Sequence, residues 1–390
     1  MDQLFSLYLH IPFCRVKCTY CDFNTFAGME DVFQSYTEAL AHEIRAMGRY
    51  RNRPPVKTIF IGGGTPTVLS IPQLETILSA CREAFAVQSG AEITSEANPG
   101  TVDEAYLRSL LAIGVNRISF GAQSFDASEL HMLGRIHSAA AIGETVAAAR
   151  RAGAGNLNLD LIYGLPNQAL DTWQDTLERT IALNPDHISL YSLTLEKGTA
   201  LRAQVVRGEL PHPDSDVAAD MYELADQRLA AAGYRQYEIS NWCRPGRECE
   251  HNLTYWRNQP YLGCGPGAHS FELGKRWWNV RPVPHYIERI NSLTTNAHPH
   301  PSLIDSEAID RHLEMSETMI LGLRLTQEGV SLPAFERRFG ATPNEVFGNV
   351  IPNLKTLTLL HEDDQRLRLT PQARLLGNQV FIRFLDRVAG

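Results

Sequence analysis

The chain has 390 residues, of which 44% are hydrophobic and 21% charged, and it carries a formal net charge of −8. The length fits one large domain plus a smaller one, and we expect neither a membrane span nor a secretory leader. The acidic balance gives no electrostatic reason for a nucleic-acid partner, and seven cysteines do not form an evenly paired disulfide framework. We therefore expect a cytoplasmic protein with reduced, metal-bound cysteines that does not bind nucleic acid.

Six β-prone runs alternate with helical patterns in the first half of the chain. The runs cover residues 4–11, 56–64, 92–99, 117–124, 156–166 and 187–194. Apolar residues recur every three or four positions in the segments between them, at 32–47, 71–86, 102–113 and 139–152. This alternation favours a parallel sheet. Since nearly every run ends in polar residues or glycine, which in a barrel would meet at one mouth, we predict an incomplete (β/α)6 barrel over residues 1–200.

The remainder of the chain predicts two further regions. Residues 201–295 hold a helical pattern at 215–231 and then a loop-rich stretch dense in Trp, Tyr, Gly and Cys, which we expect to extend and close the barrel. Residues 294–303 have the Pro and polar content of a linker. The patterns over 304–390 indicate three helices, a hairpin and a last helix, a small, mostly α, winged-helix-like domain. Its hairpin carries the acidic segment HEDD (361–364), which a phosphate backbone would repel.

Three cysteines lie close together just after the first predicted strand. Cys14, Cys18 and Cys21 occur in CRVKCTYCDF, residues 14–23. Thiolates at this spacing suit a soft metal, either zinc or an iron–sulfur cluster. A structural zinc would need a fourth ligand, which His10 could supply. A four-iron cluster on three cysteines would leave one iron open, and an open metal position is typical of a reacting site. The cysteine spacing by itself leaves both possibilities open.

The motif C-x3-C-x2-C, followed about forty residues after its last cysteine by GGGTP (62–66), resembles the radical S-adenosylmethionine (SAM) superfamily. This resemblance implies a [4Fe–4S] cluster on Cys14, Cys18 and Cys21. It also implies that the open iron binds SAM, and that an electron from the cluster cleaves SAM to a deoxyadenosyl radical. Glycines at a strand end suit this function, since they allow the backbone to approach a ligand closely.

Local motifs at the other strand ends are similar to those of oxygen-independent coproporphyrinogen III oxidase, and they imply a set of SAM-binding residues. The set is Tyr8, Tyr20, Gly63, Gly64, Thr65, Glu96, Gln123, Arg135, Asp160 and Ser192, with His269 from GCGPGAHS (263–270). The guanidinium of Arg135 suits the carboxylate of SAM, and Asp160 suits a ribose hydroxyl. The alternative for these two residues is a structural ion pair at the barrel mouth.

Two features distinguish the chain from that oxidase. Phe23 stands where the oxidase motif has a fourth cysteine, and CEHNLTYW (249–256) resembles the H-N-x-x-Y-W motif of the HemW branch of haem chaperones. The resemblance implies that the chain binds haem, and that it delivers haem to haem-requiring acceptors such as membrane-bound respiratory proteins, with a reductant for the cluster. The implied haem-binding residues are His251, Asn252, Tyr255 and Trp256, with Cys249 as another possible axial ligand.

The residue types in this motif suit haem. An imidazole is a common ligand of haem iron, and aromatic rings offer flat apolar faces to a porphyrin. The alternative is that the same side chains pack a loop onto the barrel. We therefore expect a haem chaperone with a [4Fe–4S] cluster, SAM and haem. An oxygen-independent coproporphyrinogen III oxidase is the second hypothesis, and a winged-helix binding module on a zinc-stabilised barrel is the third.

Overall fold

Strands and helices alternate along the first half of the chain in the computed structural model, which describes residues 4–292 and 302–385. The strands of the large sheet are β1 (Phe5–Ile11), β2 (Pro55–Gly63), β3 (Ala86–Ala97), β4 (Arg117–Gln123), β5 (Leu157–Tyr163), β6 (His187–Ser192), β7 (Arg235–Glu238), β8 (Asn241–Cys243), β9 (Tyr261–Cys264), β10 (His269–Glu272), β11 (Lys275–Asn279) and β12 (Leu303–Ala308). The helices of this domain are α1 (Phe33–Tyr50), α2 (Ile71–Ala84), α3 (Glu104–Ala112), α4 (Ala127–Met132), α5 (Ala139–Ala152), α6 (Leu170–Ala182), α7 (Ala200–Val206), α8 (Ser215–Ala231), α9 (Glu250–Trp256) and α10 (Val283–Asn291).

The large sheet has the order β12-β11-β10-β9-β1-β2-β3-β4-β5-β6-β8-β7. The six predicted strands are β1 to β6, which are neighbours in sequence order and pair in parallel. Most residues of β1 and all of β4 are buried, as expected for parallel strands that are covered on both faces. The predicted α/β architecture, six βα units with parallel strands as in an incomplete (β/α)6 barrel, is thus confirmed. The sequence placed the start of β3 six residues too late, at 92 instead of 86.

Residues 201–292 extend this sheet at both edges. The hairpin of β7 and β8 pairs antiparallel with β6, while β9 pairs in parallel with β1 on the opposite side. Strands β10 and β11 continue antiparallel beyond β9. The pattern of residues gave no prediction of β9, whose position brings the glycine-rich segment 263–267 next to the loop that follows β1.

The helices pack on the sheet around one apolar core, to which residues from Phe5 to Ile290 contribute. Several helices begin at a side chain that caps their free backbone N–H groups. These N-cap residues are Asp103, Asp126, Ser138, Thr199 and Asp214. Among the helices of residues 4–292 and 302–385, none combines the length and apolar character needed to cross a bilayer.

A second apolar core, formed by residues from Met315 to Phe384, defines the C-terminal domain. Its elements are α11 (Arg311–Gly322), β13 (Val330–Ser331), α12 (Leu332–Phe339), α13 (Pro343–Val346), α14 (Val350–Thr356), β14 (Leu360–Glu362), β15 (Arg366–Leu369) and α15 (Gly377–Phe381). The three short strands form a sheet in the order β13-β15-β14. The hairpin of β14 and β15 carries the acidic segment 361–364, in the place that the sequence predicted.

Ion pairs connect the C-terminal domain to the large one. Arg257 contacts Glu328 at 2.7 Å, and Arg276 contacts Glu317 at 2.8 Å. Most of the predicted linker, 294–303, lies outside the described residues. Because β12 pairs with β11, residues 304–308 belong to the large sheet in this structure, although the sequence grouped them with the C-terminal domain.

Candidate functional site

The three clustered cysteines lie in the loop after β1, at the carboxyl end of the parallel strands. Cys14, Cys18 and Cys21 are each half-buried and line one cavity of about 490 Å³. The loop after β2 is held against them, because the backbone N–H groups of Gly64 and Thr65 donate to the carbonyls of Ile11 and Phe13. The first and second strand ends therefore form one continuous wall of the cavity.

Each cysteine sulfur has a polar neighbour within the described residues. Thr65 Oγ1 lies 3.6 Å from Cys14 Sγ, Arg135 Nη1 lies 3.3 Å from Cys18 Sγ, and Thr25 Oγ1 lies 3.8 Å from Cys21 Sγ. Hydrogen bonds to cysteine sulfur and a nearby positive charge are means by which proteins stabilise and tune an iron–sulfur cluster. These three thiols and their donors therefore fit a cluster.

A structural zinc site differs from a three-thiol cluster site, because four ligands must converge on one ion. In the part of the chain that the structure describes, no three His, Cys, Asp or Glu side chains meet in such a site. His10, the residue considered as a fourth zinc ligand, has both ring nitrogens engaged: Nδ1 with Tyr8 Oη at 2.9 Å and Nε2 with the carbonyl of Asn24 at 3.0 Å. The geometry thus gives no support to a Cys3His zinc site.

The first cavity also gathers most of the residues proposed for SAM. Its walls include Tyr20, Gly63, Gly64, Thr65, Glu96, Gln123, Arg135, Asp160 and Ser192. They come from the ends of β2 to β6 and from the loops after β1 and α4. The remaining two, Tyr8 and His269, line a neighbouring cavity instead.

Four carboxylic acids line the first cavity, and two of them, Glu96 and Asp160, belong to strands β3 and β5. Glu96 accepts the backbone N–H of Gly63 at 3.0 Å, and burial, followed by the charge of Asp160, raises the pKa of Glu96 to about 8. Asp160 accepts hydrogen bonds from Ser119 at 3.0 Å and Asn158 at 2.7 Å, and burial raises its pKa. A cationic group of a ligand would reverse these shifts by favouring the charged carboxylates. The cavity is therefore suited to a ligand with an amino or sulfonium group.

Arg135 connects the cysteine loop with the strand ends. Its Nη2 donates to Asn98 Oδ1 at 2.5 Å and to the carbonyl of Gly121 at 2.6 Å, in addition to the contact with Cys18. Asn98 in turn donates to Thr65 Oγ1 at 2.8 Å. Arg135 thus makes no ion pair with a carboxylate here, so the structural alternative considered for it, an ion pair at the barrel mouth, is absent from the described residues.

A second cavity, of about 660 Å³, adjoins the first. Asp22, Phe23, Gly63 and Glu96 border both cavities. The other walls of the second cavity are largely aromatic and include Tyr8, His10, Tyr255, Tyr261, His269 and Trp278, with Arg281 at its edge. Phe23 is 63% exposed where the two cavities meet.

The residues proposed for haem do not line one common cavity. His251 is buried, and its Nδ1 and Nε2 lie 2.8 Å from Thr58 Oγ1 and 2.9 Å from Tyr255 Oη. Asn252 lines the first cavity and Tyr255 lines the second.

Cys249 and Trp256 border neither cavity. The Cys249 sulfur is buried, 3.5 Å from Glu92 Oε1. Trp256 lies under the guanidinium of Arg324, 4.3 Å from its ring centre, at the contact with the C-terminal domain. Helix α9 therefore joins the two cavities and the C-terminal domain.

Sequence reasoning missed several residues of the site. Asn98 and Arg117 line the first cavity, and Trp278 and Arg281 line the second. Asn98 follows Glu96 in the motif SEANPG, so its position at a strand end was a usable signal. Arg117 is almost fully buried at the start of β4, and Trp278 and Arg281 lie far from any quoted motif. Only their pairing partners in the fold bring them to the site.

The chain is similar to known proteins along nearly its whole length. Residues 8–180 match the radical SAM superfamily, and residues 309–376 match the HemN C-terminal domain. The heme chaperone HemW of Bacillus subtilis (strain 168) is 38% identical over 384 residues, which cover 98% of this chain and 100% of that protein. The heme chaperone HemW of Escherichia coli (strain K12) is 44% identical over 268 residues, or 68% of this chain and 69% of that protein.

A solved structure is similar over nearly the whole chain. The radical SAM enzyme coproporphyrinogen III oxidase (HemN) from Escherichia coli matches with a TM-score of 0.84 and 25% sequence identity. The match covers 98% of this chain and 90% of that one. The similarity therefore extends over both domains.

Proposed function

We propose, because this chain belongs to the HemW family of radical SAM proteins, that it is a haem chaperone. In this proposal Cys14, Cys18 and Cys21 hold a [4Fe–4S] cluster, the first cavity binds SAM, and the protein binds haem and delivers it to haem-requiring acceptor proteins. A reductant for the cluster and membrane-bound respiratory acceptors belong to the same proposal, as does a cytoplasmic location.

One observation supports this proposal above the others: two cavities of different character share a wall. The first contains the three thiols, polar strand ends and apolar side chains such as Phe60 and Leu193, whereas half of the residues that line the second carry an aromatic or imidazole ring and none is a cysteine. A cluster with SAM and a flat apolar macrocycle would each find matching chemistry. Because Phe23 and Glu96 border both cavities, occupancy of one would be felt at the other.

The residues of the first cavity have separate tasks in this proposal. A bound cluster and SAM supply one-electron chemistry when the cluster is reduced. The side chain of Arg135 holds the cysteine loop in place through Cys18 and lies beside the site for the carboxylate of SAM. Glu96, bonded to Gly63, takes the amino group, and Asp160 takes ribose hydroxyls. Together these groups orient SAM relative to the thiols.

A coproporphyrinogen III oxidase is the second candidate, favoured by the fold shared with HemN over 98% of the chain. That reaction would convert a propionate side chain into a vinyl group: a radical derived from SAM would take one hydrogen atom, carbon dioxide would leave, and the remaining electron would pass to an electron acceptor. Phe23, at the place of the fourth cysteine in the oxidase motif, argues against it. An exposed phenyl ring at the junction of the cavities gives a porphyrin an apolar contact and gives a metal no ligand.

The test separates binding from catalysis. The protein is purified without oxygen, reconstituted with iron and sulfide, and titrated with haem. A parallel sample receives coproporphyrinogen III, SAM and a reductant. We expect one haem per chain and no release of carbon dioxide. Decarboxylation of coproporphyrinogen III would instead make the protein an oxidase, and absence of saturable haem binding would refute the chaperone.

A further inference from the structure

We propose that the second cavity is the haem-binding site and that His269 is the axial ligand of the haem iron. This inference rests on the proposed function, since it assumes that haem is the cargo. It assigns the iron to a histidine outside the HNLTYW motif, whereas the sequence pointed to His251 for haem and placed His269 among the residues for SAM.

Three histidines lie at or next to the second cavity, and they differ in the state of their ring nitrogens. Both nitrogens of His10 and both nitrogens of His251 are engaged by neighbouring atoms of the protein. His251 is also buried, with 1% of its surface exposed, so iron could reach it only after helix α9 had moved. Within the described residues, the ring of His269 has no hydrogen-bond partner and the side chain is exposed at the cavity.

The protonation state of His269 is also suitable for a metal ligand. Iron binds a neutral imidazole, since a protonated ring has no free lone pair. Partial burial, and then the charges of Arg276 and Arg281, lower the pKa of His269 below its ordinary value. A lower pKa favours the neutral ring, which has a lone pair at one nitrogen.

The strand pairing fixes the ring without blocking its nitrogens. His269 of β10 stands opposite Trp278 of β11, and the two rings stack with their centres 5.5 Å apart and an angle of 24° between their planes. The lone pair of an imidazole lies in the plane of the ring, so stacking on one face leaves the edge free. Trp278 thus limits the rotation of the His269 ring.

The remaining surface of the cavity has the composition that a haem needs. Tyr255 and Tyr261 meet edge to face, with ring centres 4.7 Å apart, and Phe23 exposes its ring at the boundary with the first cavity. Aromatic faces of this kind suit a flat apolar macrocycle. Arg281 is exposed at the edge and has no ion pair in the described part of the chain, so it is available for a haem propionate.

The test compares single-residue variants of the full chain carrying its reconstituted cluster, since empty thiols would themselves bind haem. Ferric haem is titrated into wild type, His269→Ala and His285→Ala, and the Soret band and affinity are recorded. His285 is the matched control, an exposed histidine on α10 that borders neither cavity. We expect His285→Ala to match wild type, and His269→Ala to lose at least tenfold in affinity with a shifted Soret band.

Free imidazole should restore the wild-type Soret band to haem-loaded His269→Ala, because it can replace the missing ligand. A second variant, Arg281→Gln, should weaken binding several-fold and leave the Soret position unchanged. Iron and sulfide content and circular dichroism verify that each variant is folded.

Each alternative outcome has a distinct meaning. If His269→Ala keeps the wild-type affinity and spectrum, the assignment of the axial ligand is wrong, while the chaperone function stands. Loss of the spectrum in His251→Ala together with an unchanged His269→Ala would return the iron to the HNLTYW motif. If wild type itself binds no haem, the proposed function fails before any variant is compared.

Discussion

Replacing Gly63 by alanine should damage the protein in a way that the structure makes calculable. Gly63 ends β2 with φ at +108°, a backbone conformation that costs residues other than glycine about 1–3 kcal/mol. An added Cβ would lie 2.5 Å from Cε1 and 2.5 Å from Nδ1 of the His10 ring, an overlap of the kind that costs about 1–3 kcal/mol in a packed interior. The two effects together predict a loss of about 2–6 kcal/mol in the free energy of unfolding.

The same substitution should also affect the ligand site. The His10 ring is held by Tyr8 and by the carbonyl of Asn24, so it has little freedom to move away from a new methyl group. The backbone of residue 63 must then shift, and with it the N–H group that donates to Glu96. We expect weaker SAM binding by the reconstituted protein as well as lower stability.

The assay is urea unfolding followed by circular dichroism, with equilibrium dialysis of SAM as the second measurement. The matched control is Gly155→Ala, since a Cβ at Gly155 would meet no atom within 4 Å and its φ is not in the left-handed region. Gly155→Ala should change the free energy of unfolding by no more than about 0.5 kcal/mol. If Gly63→Ala were as stable as this control and bound SAM normally, the strain and overlap argument would be wrong.

Three further predictions follow from the site and its support. Serine at Cys14, Cys18 or Cys21 should remove most of the iron and sulfide after reconstitution, and a variant that retained both in full would exclude that residue as a ligand. Burial raises the pKa of Glu96 from 4.5 to about 8, so the folded metal-free chain holds a proton that the unfolded chain loses between these pH values. The free energy of unfolding of the metal-free chain should therefore fall as the pH rises from 5 to 8. Urea unfolding of Glu96→Gln at several pH values should show a smaller pH dependence. An unchanged pH dependence would contradict the raised pKa of Glu96. Glu43→Gln should lower the free energy of unfolding by about 2–4 kcal/mol in the same assay. The buried carboxylate accepts several hydrogen bonds, and the amide nitrogen of glutamine would face one of those donors without being able to accept from it. A variant of unchanged stability would refute this prediction.

The repeating elements of the large domain were predictable because their pattern is local. In strands such as β1 and β4 apolar residues alternate with polar or small ones, and the helices between them repeat an apolar residue every three or four positions. The polar ends of these strands could likewise be assigned to one edge, since parallel strands point the same way. For this reason nine residues proposed for SAM line a single cavity.

The second cavity could not be predicted in the same manner. Strand β9 has only four residues, two of which are Gly and Cys, and its partner β1 stands at the opposite end of the domain's sequence. Trp278 reaches the site only through its pairing with His269, a contact between strands that no local pattern encodes. The motif around His251 lies on α9, which borders both cavities, yet a sequence does not show that Thr58 and Tyr255 engage both ring nitrogens.

The position of β1 between β2 and β9 has a consequence for the order in which the protein is made. On the ribosome β2 emerges soon after β1, whereas Tyr261, the partner of Ser6, is synthesised only after most of the large domain. One edge of β1 therefore stays unpaired during translation, as a place where another strand could add. The cysteine loop and the strands of the first cavity are complete in that interval. The second cavity exists only once β9 to β11 have closed that edge.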